Sequence, residues 1–558
     1  MKTTVAGETP KPPSYGIPLR RYALLGDGRS AALVSDEGSV DWWCPDRFDA
    51  PSVFARLLDA DAGRFAVSFA GAVEASYEPG TNVLVHRWRD GELLDFQPWP
   101  PVGTSCVVRV LRAKRDAVAR VDFDPRANYG ARAGGCMLHG AEPGELRLRA
   151  GETRVLVACP GPAPAGDPLA WLDATRAAWR AWTAKLRYHG PHRRAVERSL
   201  LALKLLVYEP TGALVAAPTT SLPEAPGGER NWDYRYAWLR DTGFAAEAFH
   251  RSGYEEEAHA LAGWVLRAVE KGGKDLRVLY TVDAGACPDE RDLPLRGRLG
   301  SRPVRVGNGA VDQFQLDAYG HVIECLHLSG ALREPRHAEL WRHVAGLVDR
   351  LCELWRRDDN GIWEVPAGPR PFTYSKAMAW VAFDRAARIA RELRLDAPLD
   401  RWERERDEAW RVTQERGYDA DRASFVQSFG SKALDAANLR LPLVGFVGGT
   451  DPRMLSTLDA TLRELEHAGY VRRYVSDDGL SGTEGAFLPC SFWLVQALAR
   501  AGRREEAERL FASLAQRMEP WGLAPEEMDP ATGSFLGNYP QAFTHAALVT
   551  AAWEIASR

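Results

Sequence analysis

A multidomain β + α protein, an N-terminal antiparallel β-sandwich followed by an (α/α)6 barrel, is the fold class this 558-residue sequence predicts. Three observations predict it. The texture of the chain changes near residue 166, from short β-rich runs to long amphipathic stretches. The second half then resolves into twelve apolar-periodic segments. Their connections alternate between short and long, which is the pattern of six helical hairpins closed into a toroid.

Taken in order, residues 31–34, 107–111 and 153–157 are β-rich runs separated by Gly, Asp and Pro turn signals. Residues 36–43 read as a hairpin, a polar turn at Asp36-Glu37-Gly38 followed by a strand ending in Trp42-Trp43. Residues 1–166 are therefore expected to form the sandwich. The Gly/Pro/Ala run at 161–166 reads as a linker, and a Trp- and Ala-rich helix is expected inside a connecting segment at 167–190. Residues 191–558 form the expected catalytic domain. Its helices are predicted at roughly 194–208, 237–252, 255–271, 310–330, 336–357, 373–393, 399–416, 431–443, 451–468, 487–502, 504–517 and 540–556. Short connections follow the second helix of each pair and long ones follow the first. All long loops then emerge on one face, at the N-termini of the second helices.

Composition narrows the function. A formal net charge of -4, with 26% charged and 45% hydrophobic residues, describes a globular chain without a dominant charge sign, so nucleic acid and anionic membrane surfaces gain no support. The eight cysteines are scattered, with no CxxC spacing, which argues against a zinc cluster or a disulfide scaffold and fits a reducing compartment. The first residues, Met1 to Glu8, contain no apolar signal core, and no run approaches the length of a membrane span. The expected setting is cytoplasmic. No metal or organic cofactor is implied, and homo-oligomerisation is left open.

The densest chemistry lies at residues 229–241, Glu-Arg-Asn-Trp-Asp-Tyr-Arg-Tyr-Ala-Trp-Leu-Arg-Asp. Flat aromatic faces interleaved with Arg and Asp suit a sugar ring, whose C–H faces stack while its hydroxyls are held by carboxylate and guanidinium. An aromatic-rich helix start with structural salt bridges is the plainer reading. Other long loops carry Gly307-Asn308-Gly309-Ala310, Gly361-Ile362-Trp363-Glu364-Val365, the acidic run 477–485 and Pro525-Glu526-Glu527-Met528-Asp529. A shared face of aromatics and carboxylates suits a neutral polyol. Glu364 stands between Trp363 and Val365, where desolvation raises a carboxyl pKa and keeps it protonated. Glu526 has Glu527 and Asp529 as neighbours, a polar setting expected to leave it ionised. Two carboxyl groups with opposed environments are the machinery of glycoside hydrolysis. Each motif alone is as compatible with a helix start or a solvated loop, and His545 reads as a packing or hydrogen-bonding residue.

At these residues the chain resembles glycoside hydrolase family 15, the glucoamylase, glucodextranase and trehalase group. The likeness extends from Tyr22-Ala23-Leu24-Leu25-Gly26-Asp27-Gly28-Arg29 through residues 217–224, 231–241, 307–310 and 372–376 to Gly537-Asn538-Tyr539-Pro540-Gln541-Ala542-Phe543. The resemblance implies the same sandwich-plus-barrel fold. It implies Glu364 as general acid, Glu526 as general base with Glu527 as its competitor, and Arg240 and Asp241 as the pair gripping the terminal glucose. Trp238 and Trp363 are implied as aromatic walls, and Glu484 as a carboxylate near the leaving-group subsite. Ala237 departs from the Cys expected there, and the sandwich is shorter than in most members. The expected activity is exo-acting, inverting hydrolysis of a small α-glucoside, trehalose being favoured over malto- and isomalto-oligosaccharides. The alternatives are a sugar-binding relic, a repurposed barrel and a glycoside phosphorylase.

Overall fold

The computed structural model describes residues 16–557 apart from 274, 335–338, 366 and 477–483. Most of the acidic run 477–485, and the start of the segment expected at 336–357, lie outside the described residues.

The first half is a sandwich of two six-stranded antiparallel sheets. Its strands are β1 (Tyr22–Gly26), β2 (Ala31–Ser35), β3 (Ser39–Trp43), β4 (Arg64–Phe69), β5 (Val73–Tyr77), β6 (Leu84–Trp88), β7 (Gly91–Phe96), β8 (Val107–Ala113), β9 (Ala117–Asp124), β10 (Arg126–Ala127), β11 (Arg132–Ala133), β12 (Met137–His139), β13 (Gly144–Leu148) and β14 (Thr153–Cys159). One sheet runs β1-β2-β3-β4-β9-β13 and the other β12-β14-β8-β7-β6-β5, with β10 and β11 as a separate ribbon. The hairpin expected at 36–43 is present, pairing Leu33 with Trp42 and Ala32 with Trp43. Its Gly38 is left-handed at φ 86°, and a Cβ there would lie 2.5 Å from the Val67 carbonyl oxygen.

Strand alternation explains why both faces of the second sheet are apolar. Leu93 and Leu111 join the core between the sheets. Leu94, Phe96, Val108 and Val110 point the other way and cluster with Leu172 of helix α1 (Pro168–Thr183). That helix starts cleanly because Asp167 accepts from Leu169 N–H and Pro168 occupies the first turn. Its Trp179 stacks on Trp99 with ring centroids 4.1 Å apart.

The second half contains α2 (Arg193–Leu205), α3 (Leu239–Arg251), α4 (Glu255–Gly272), α5 (Asp317–Ser329), α6 (Trp341–Leu354), α7 (Thr373–Leu393), α8 (Leu399–Arg416), α9 (Pro452–Glu464), α10 (Leu488–Arg500), α11 (Arg504–Arg517) and α12 (Ala542–Ala556). An inner ring closes through α3 against α5, α5 against α7, α10 against α12 and α12 against α3, with the 3₁₀ helix Ala436–Arg440 between α7 and α10. Inner helices such as α10 are buried along almost their whole length, whereas outer α11 buries only Ala507, Phe511 and Leu514. The long loops precede the inner helices, as the alternation of connections predicts.

Two segments differ from expectation. At 431–443 the chain forms only the short 3₁₀ helix. Asp435 caps it by accepting from Ala437 N–H, and Pro442, without an N–H, follows at once. At 310–330 a 3₁₀ turn, Gly309–Asp312, precedes an extended stretch, and α5 begins at Asp317.

Inside the sandwich, Arg109 and Asp95 form a fully buried bidentate pair at 2.8 and 2.9 Å. The same guanidinium donates to the Phe65 and Gly38 carbonyls of the opposite sheet at 2.8 and 2.7 Å, so one side chain bolts the two sheets together. Arg109→Met leaves Asp95 buried without its counter-charge and is expected to cost about 3–5 kcal/mol, read as a lower midpoint of chemical denaturation. An unchanged midpoint contradicts this account of the bolt.

Candidate functional site

The run at 229–241 lies on the barrel mouth, extended rather than helical until Leu239. Its backbone pairs with residues 216–224: Ser221 N–H donates to Trp232 O at 2.8 Å and Ala217 N–H to Tyr234 O at 2.9 Å. An extended chain alternates its side chains, and here the two sets have different jobs. Arg230, Trp232 and Tyr234 line a cavity of about 190 Å³. Asp233 and Arg235 point away, fully buried as a bidentate pair at 2.8 and 2.7 Å, and Arg235 also donates to the Ala50 carbonyl of the sandwich at 2.9 Å. The even residues Arg230, Trp232 and Tyr234 thus face the cavity, and the odd residues Asp233 and Arg235 carry the structural ion pair.

Glu364 lies on the cavity wall beside Trp363 and Gln313. The Trp238 indole N–H donates to its Oε1 at 2.8 Å, and Arg240 Nη1 approaches the same oxygen at 3.5 Å. Arg240 is held in turn by Asp241 at 2.8 Å and by the Ile362 carbonyl at 2.7 Å. Burial raises the Glu364 pKa above the ordinary carboxylate value, with Arg240, Trp238 and Gln315 acting in the opposite direction. The direction is the one its sequence neighbours predict. Trp238 is 1% exposed and its indole N–H orients Glu364; of the sequence-predicted site residues, Glu364 and Trp363 line the described cavity, whereas Trp238, Arg240, Asp241, Glu484, Glu526 and Glu527 lie behind its lining. Trp363 does line the cavity, and its N–H donates to Asp435 at 2.8 Å.

Glu526 and Glu527 sit where a short strand, Glu527–Met528, pairs with Ala486–Phe487 and Phe535–Leu536. Both are fully buried. Glu526 Oε2 accepts from Asn538 N–H at 2.9 Å, and the Tyr234 side chain is a further hydrogen-bond partner of the carboxyl. The ionised setting expected for Glu526 is corrected here. Its pKa is pushed up to about 7, chiefly by burial and also by the charge of Glu484, with Tyr234, Asn538 and Arg473 pulling it down. Gly537 permits this packing: a Cβ there would lie 2.3 Å from Glu526 Oε2.

Glu527 is built into an ion cluster. Its Oε2 accepts from Gly485 N–H at 2.9 Å, and its Oε1 faces Arg473 Nη2 at 3.4 Å. Arg473 also pairs with both oxygens of Glu484 and with Glu224 at 3.5 Å, and Arg230 reaches Glu484 at 3.3 Å. The carboxylate oxygens of Glu224, Glu484 and Glu527 fall within 4.8 Å of one another. The guanidinium groups of Arg473 and Arg230 stand among them, so carboxyl groups outnumber the cations, and burial with mutual repulsion raises the pKa values of Glu224 and Glu527.

His545 is structural, as expected: its Nε2 accepts from Ala524 N–H at 3.1 Å and its Nδ1 meets Ser199 Oγ at 3.0 Å, fixing the loop that leads to Glu526. Sequence reasoning singles out neither Arg473 nor Asp435, and takes Glu224 only as part of a matching stretch. A long loop carrying Arg472-Arg473-Tyr474 four residues before an acidic run was the available signal for Arg473. No helix among the described residues is long and apolar enough to cross a membrane, and all eight cysteines are buried free thiols.

Comparison with known proteins agrees with this architecture. The model of glycosyl hydrolases family 15 matches residues 190–553, and that of the trehalase-like N-terminal domain matches residues 12–163. A trehalase of Thermoplasma volcanium is 35% identical over 96% of this chain and 93% of its own length. A trehalase of Mycobacterium tuberculosis is 35% identical over 96% of this chain and 89% of its own. Among solved structures, a bacterial glucoamylase complexed with acarbose superposes with a TM-score of 0.72 at 12% identity, covering 100% of this chain and 97% of that one, which shows the shared fold. Two domain models in the right order, and trehalases similar along nearly the whole chain, place the protein in glycosyl hydrolases family 15: it is a glycoside hydrolase of that family.

Proposed function

We propose that the protein hydrolyses trehalose with inversion at the anomeric carbon, Glu364 acting as general acid and Glu526 as general base. The observation that carries this reading is the hydrogen bonding that orients two buried carboxyl groups, both with raised pKa values, at the barrel mouth. Glu364 reaches the cavity wall with its pKa raised and its Oε1 oriented by Trp238 and Arg240. Glu526 is anchored at one oxygen by Asn538 N–H and has the side chain of Tyr234, a cavity-lining residue, as a further hydrogen-bond partner. In an inverting site the acid protonates the glycosidic oxygen while the base takes a proton from water on the opposite face, which needs the carboxyls roughly 6.5–9.5 Å apart. Arg240 and Asp241 are the proposed grip on glucose hydroxyls, Trp363 the stacking wall, and Glu484 with Glu224 the acceptors near the leaving sugar.

Trehalose is favoured because the trehalases are similar along both halves, and a cavity of about 190 Å³ suits a short sugar. Glu527 is a weaker candidate base, since both its oxygens are engaged, by Gly485 and Arg473. Phosphorolysis finds less support. Arg230 and Arg473 at the cavity are paired with carboxylates, where phosphate would need them. The buried free thiols support a cytoplasmic setting.

Anomer-resolved proton NMR with trehalose, maltose and isomaltose in parallel tests the reaction. Inversion at one anomeric carbon of trehalose frees that glucose as the β anomer while the departing glucose leaves as α, so equal initial amounts of the two anomers are the expected result, and α-glucose alone rules out inversion. Glu364→Gln is expected to lower kcat by about 10²–10⁴-fold with sugar affinity largely retained, because proton transfer is lost and the pocket is not; near-normal turnover removes Glu364 from the role.

The pH profile reports on Glu526. A base whose pKa is raised to about 7 is protonated, and therefore idle, below that pH. The acid limb of kcat/KM is accordingly expected near neutrality rather than near the ordinary glutamate value of about 4.3. Glu484→Gln removes a neighbouring negative charge and releases Arg473 from one partner; both changes favour ionised Glu526, so the limb moves to lower pH. A limb that stays in place disconnects Glu526 from the cluster.

A further inference from the structure

Glu364 adopts a left-handed backbone, φ 60°, in a turn that begins at Gly361, φ 69°. For a residue with a Cβ this conformation costs roughly 1–2 kcal/mol, so it persists only where surrounding contacts dictate it. Among the described residues, the backbone bonds within the turn are Glu364 N–H to Gly361 O at 3.2 Å and Val365 N–H to Asn360 O at 3.2 Å. What fixes the turn lies immediately before it.

Asp359 is fully buried and takes no part in the described cavity lining. Its Oδ2 accepts three hydrogen bonds: from Leu316 N–H at 3.0 Å, from Gly361 N–H at 3.1 Å and from Ser375 Oγ at 2.8 Å. These donors belong to three separate pieces of chain, the stretch entering α5, the Glu364 turn itself and the first turn of α7. The backbone reinforces the clamp. Asn360 N–H donates to Phe314 O at 2.9 Å, and Asp359 and Arg370 exchange bonds at 3.1 and 2.8 Å. The clamped stretch also carries Gln313, whose side chain donates to the Glu364 carbonyl at 3.2 Å, and Gln315, which bonds the Glu364 carboxyl. One carboxylate oxygen thus holds the turn that presents Glu364 and the neighbours that aim it.

We propose that Asp359 is a positioning residue for the proton donor, acting through the Glu364 turn without touching substrate. The proposal rests on the reading of Glu364 as general acid. Removal of the clamp misplaces the acid while the cavity walls from other loops stay in place. It should therefore slow a reaction that needs leaving-group protonation and spare one that does not.

The test compares trehalose with α-glucosyl fluoride, whose fluoride departs with little protonic help. For Asp359→Ala the expected loss in kcat on trehalose is about 100-fold, with KM within about threefold, and on α-glucosyl fluoride less than about tenfold. Asp359→Asn keeps an acceptor oxygen and is expected to recover about tenfold or more of the trehalose loss. Ser375→Ala removes one of the three bonds and should show the same asymmetry at about 3–10-fold. Should the alanine variant fail to fold, the asparagine and Ser375 variants decide by that asymmetry. Equal losses on both substrates, or wild-type turnover of trehalose, overturn the proposal. Glu364→Gln run alongside separates the two levels: if it loses fluoride hydrolysis as heavily as trehalose hydrolysis, the acid assignment fails instead.

Discussion

The mouth of the barrel is organised around the guanidinium of Arg473, which meets Glu224, Glu484 and Glu527 at once. Two unit charges about 4 Å apart interact by roughly 1 kcal/mol in water and about 4 kcal/mol at an effective dielectric of 20. Burial therefore makes each of these pairings consequential. It also makes an isolated carboxylate there untenable. Glu526 stands beside the same cluster, and burial, with the charge of Glu484 added to it, pushes its pKa up to about 7. Such groups titrate as a set, so the protonation of any one member belongs to the whole cluster. Arg473 also lies over the Phe487 and Trp363 rings, at 5.1 and 5.9 Å. The charge cluster and the aromatic wall are thus one packed unit.

That unit is only as well placed as the loops carrying it, and the loops are tied to the sandwich. Trp42 donates to the Pro218 carbonyl at 2.7 Å, Arg235 to the Ala50 carbonyl at 2.9 Å, and Tyr539 to the Tyr22 carbonyl at 2.8 Å. The first two secure the pair of extended segments that deliver Glu224, Arg230 and Tyr234. The third secures the segment that delivers Gly537 and Asn538 to Glu526. Seen this way the sandwich is a rigid backing for the cavity. Its own rigidity depends on Arg109 and Asp95, buried between the sheets.

The proposed acid and the proposed base are presented in different ways. Glu526 and Glu527 lie on a small three-stranded ribbon whose pairing fixes their spacing. Glu364 depends instead on a strained turn held from outside. Regular pairing is cheap to specify locally, whereas a left-handed glutamate needs partners from distant segments. This accounts for the concentration of buried hydrogen bonds around residues 313–316, 359–364 and 375.

The sequence by itself determined the two-part architecture, because strand alternation and helical periodicity are local properties. The alternating loop lengths likewise reported which barrel end carries chemistry. Glu364's raised pKa was legible from its neighbours Trp363 and Val365. Glu526's was not: its polar sequence neighbours suggested exposure, and only the fold shows that it is buried beside Glu527 and the approaching Glu224 and Glu484. The same limit hid Arg473 and Asp359. An arginine among charged loop residues, or an aspartate before a turn, looks ordinary along the chain. Their importance comes from partners elsewhere in the chain: Glu527, 54 positions away, for Arg473, and Gly361 and Leu316, 2 and 43 positions away, for Asp359. Tertiary structure decided these roles because desolvation and charge pairing depend on distance in space, which the linear order of residues does not encode.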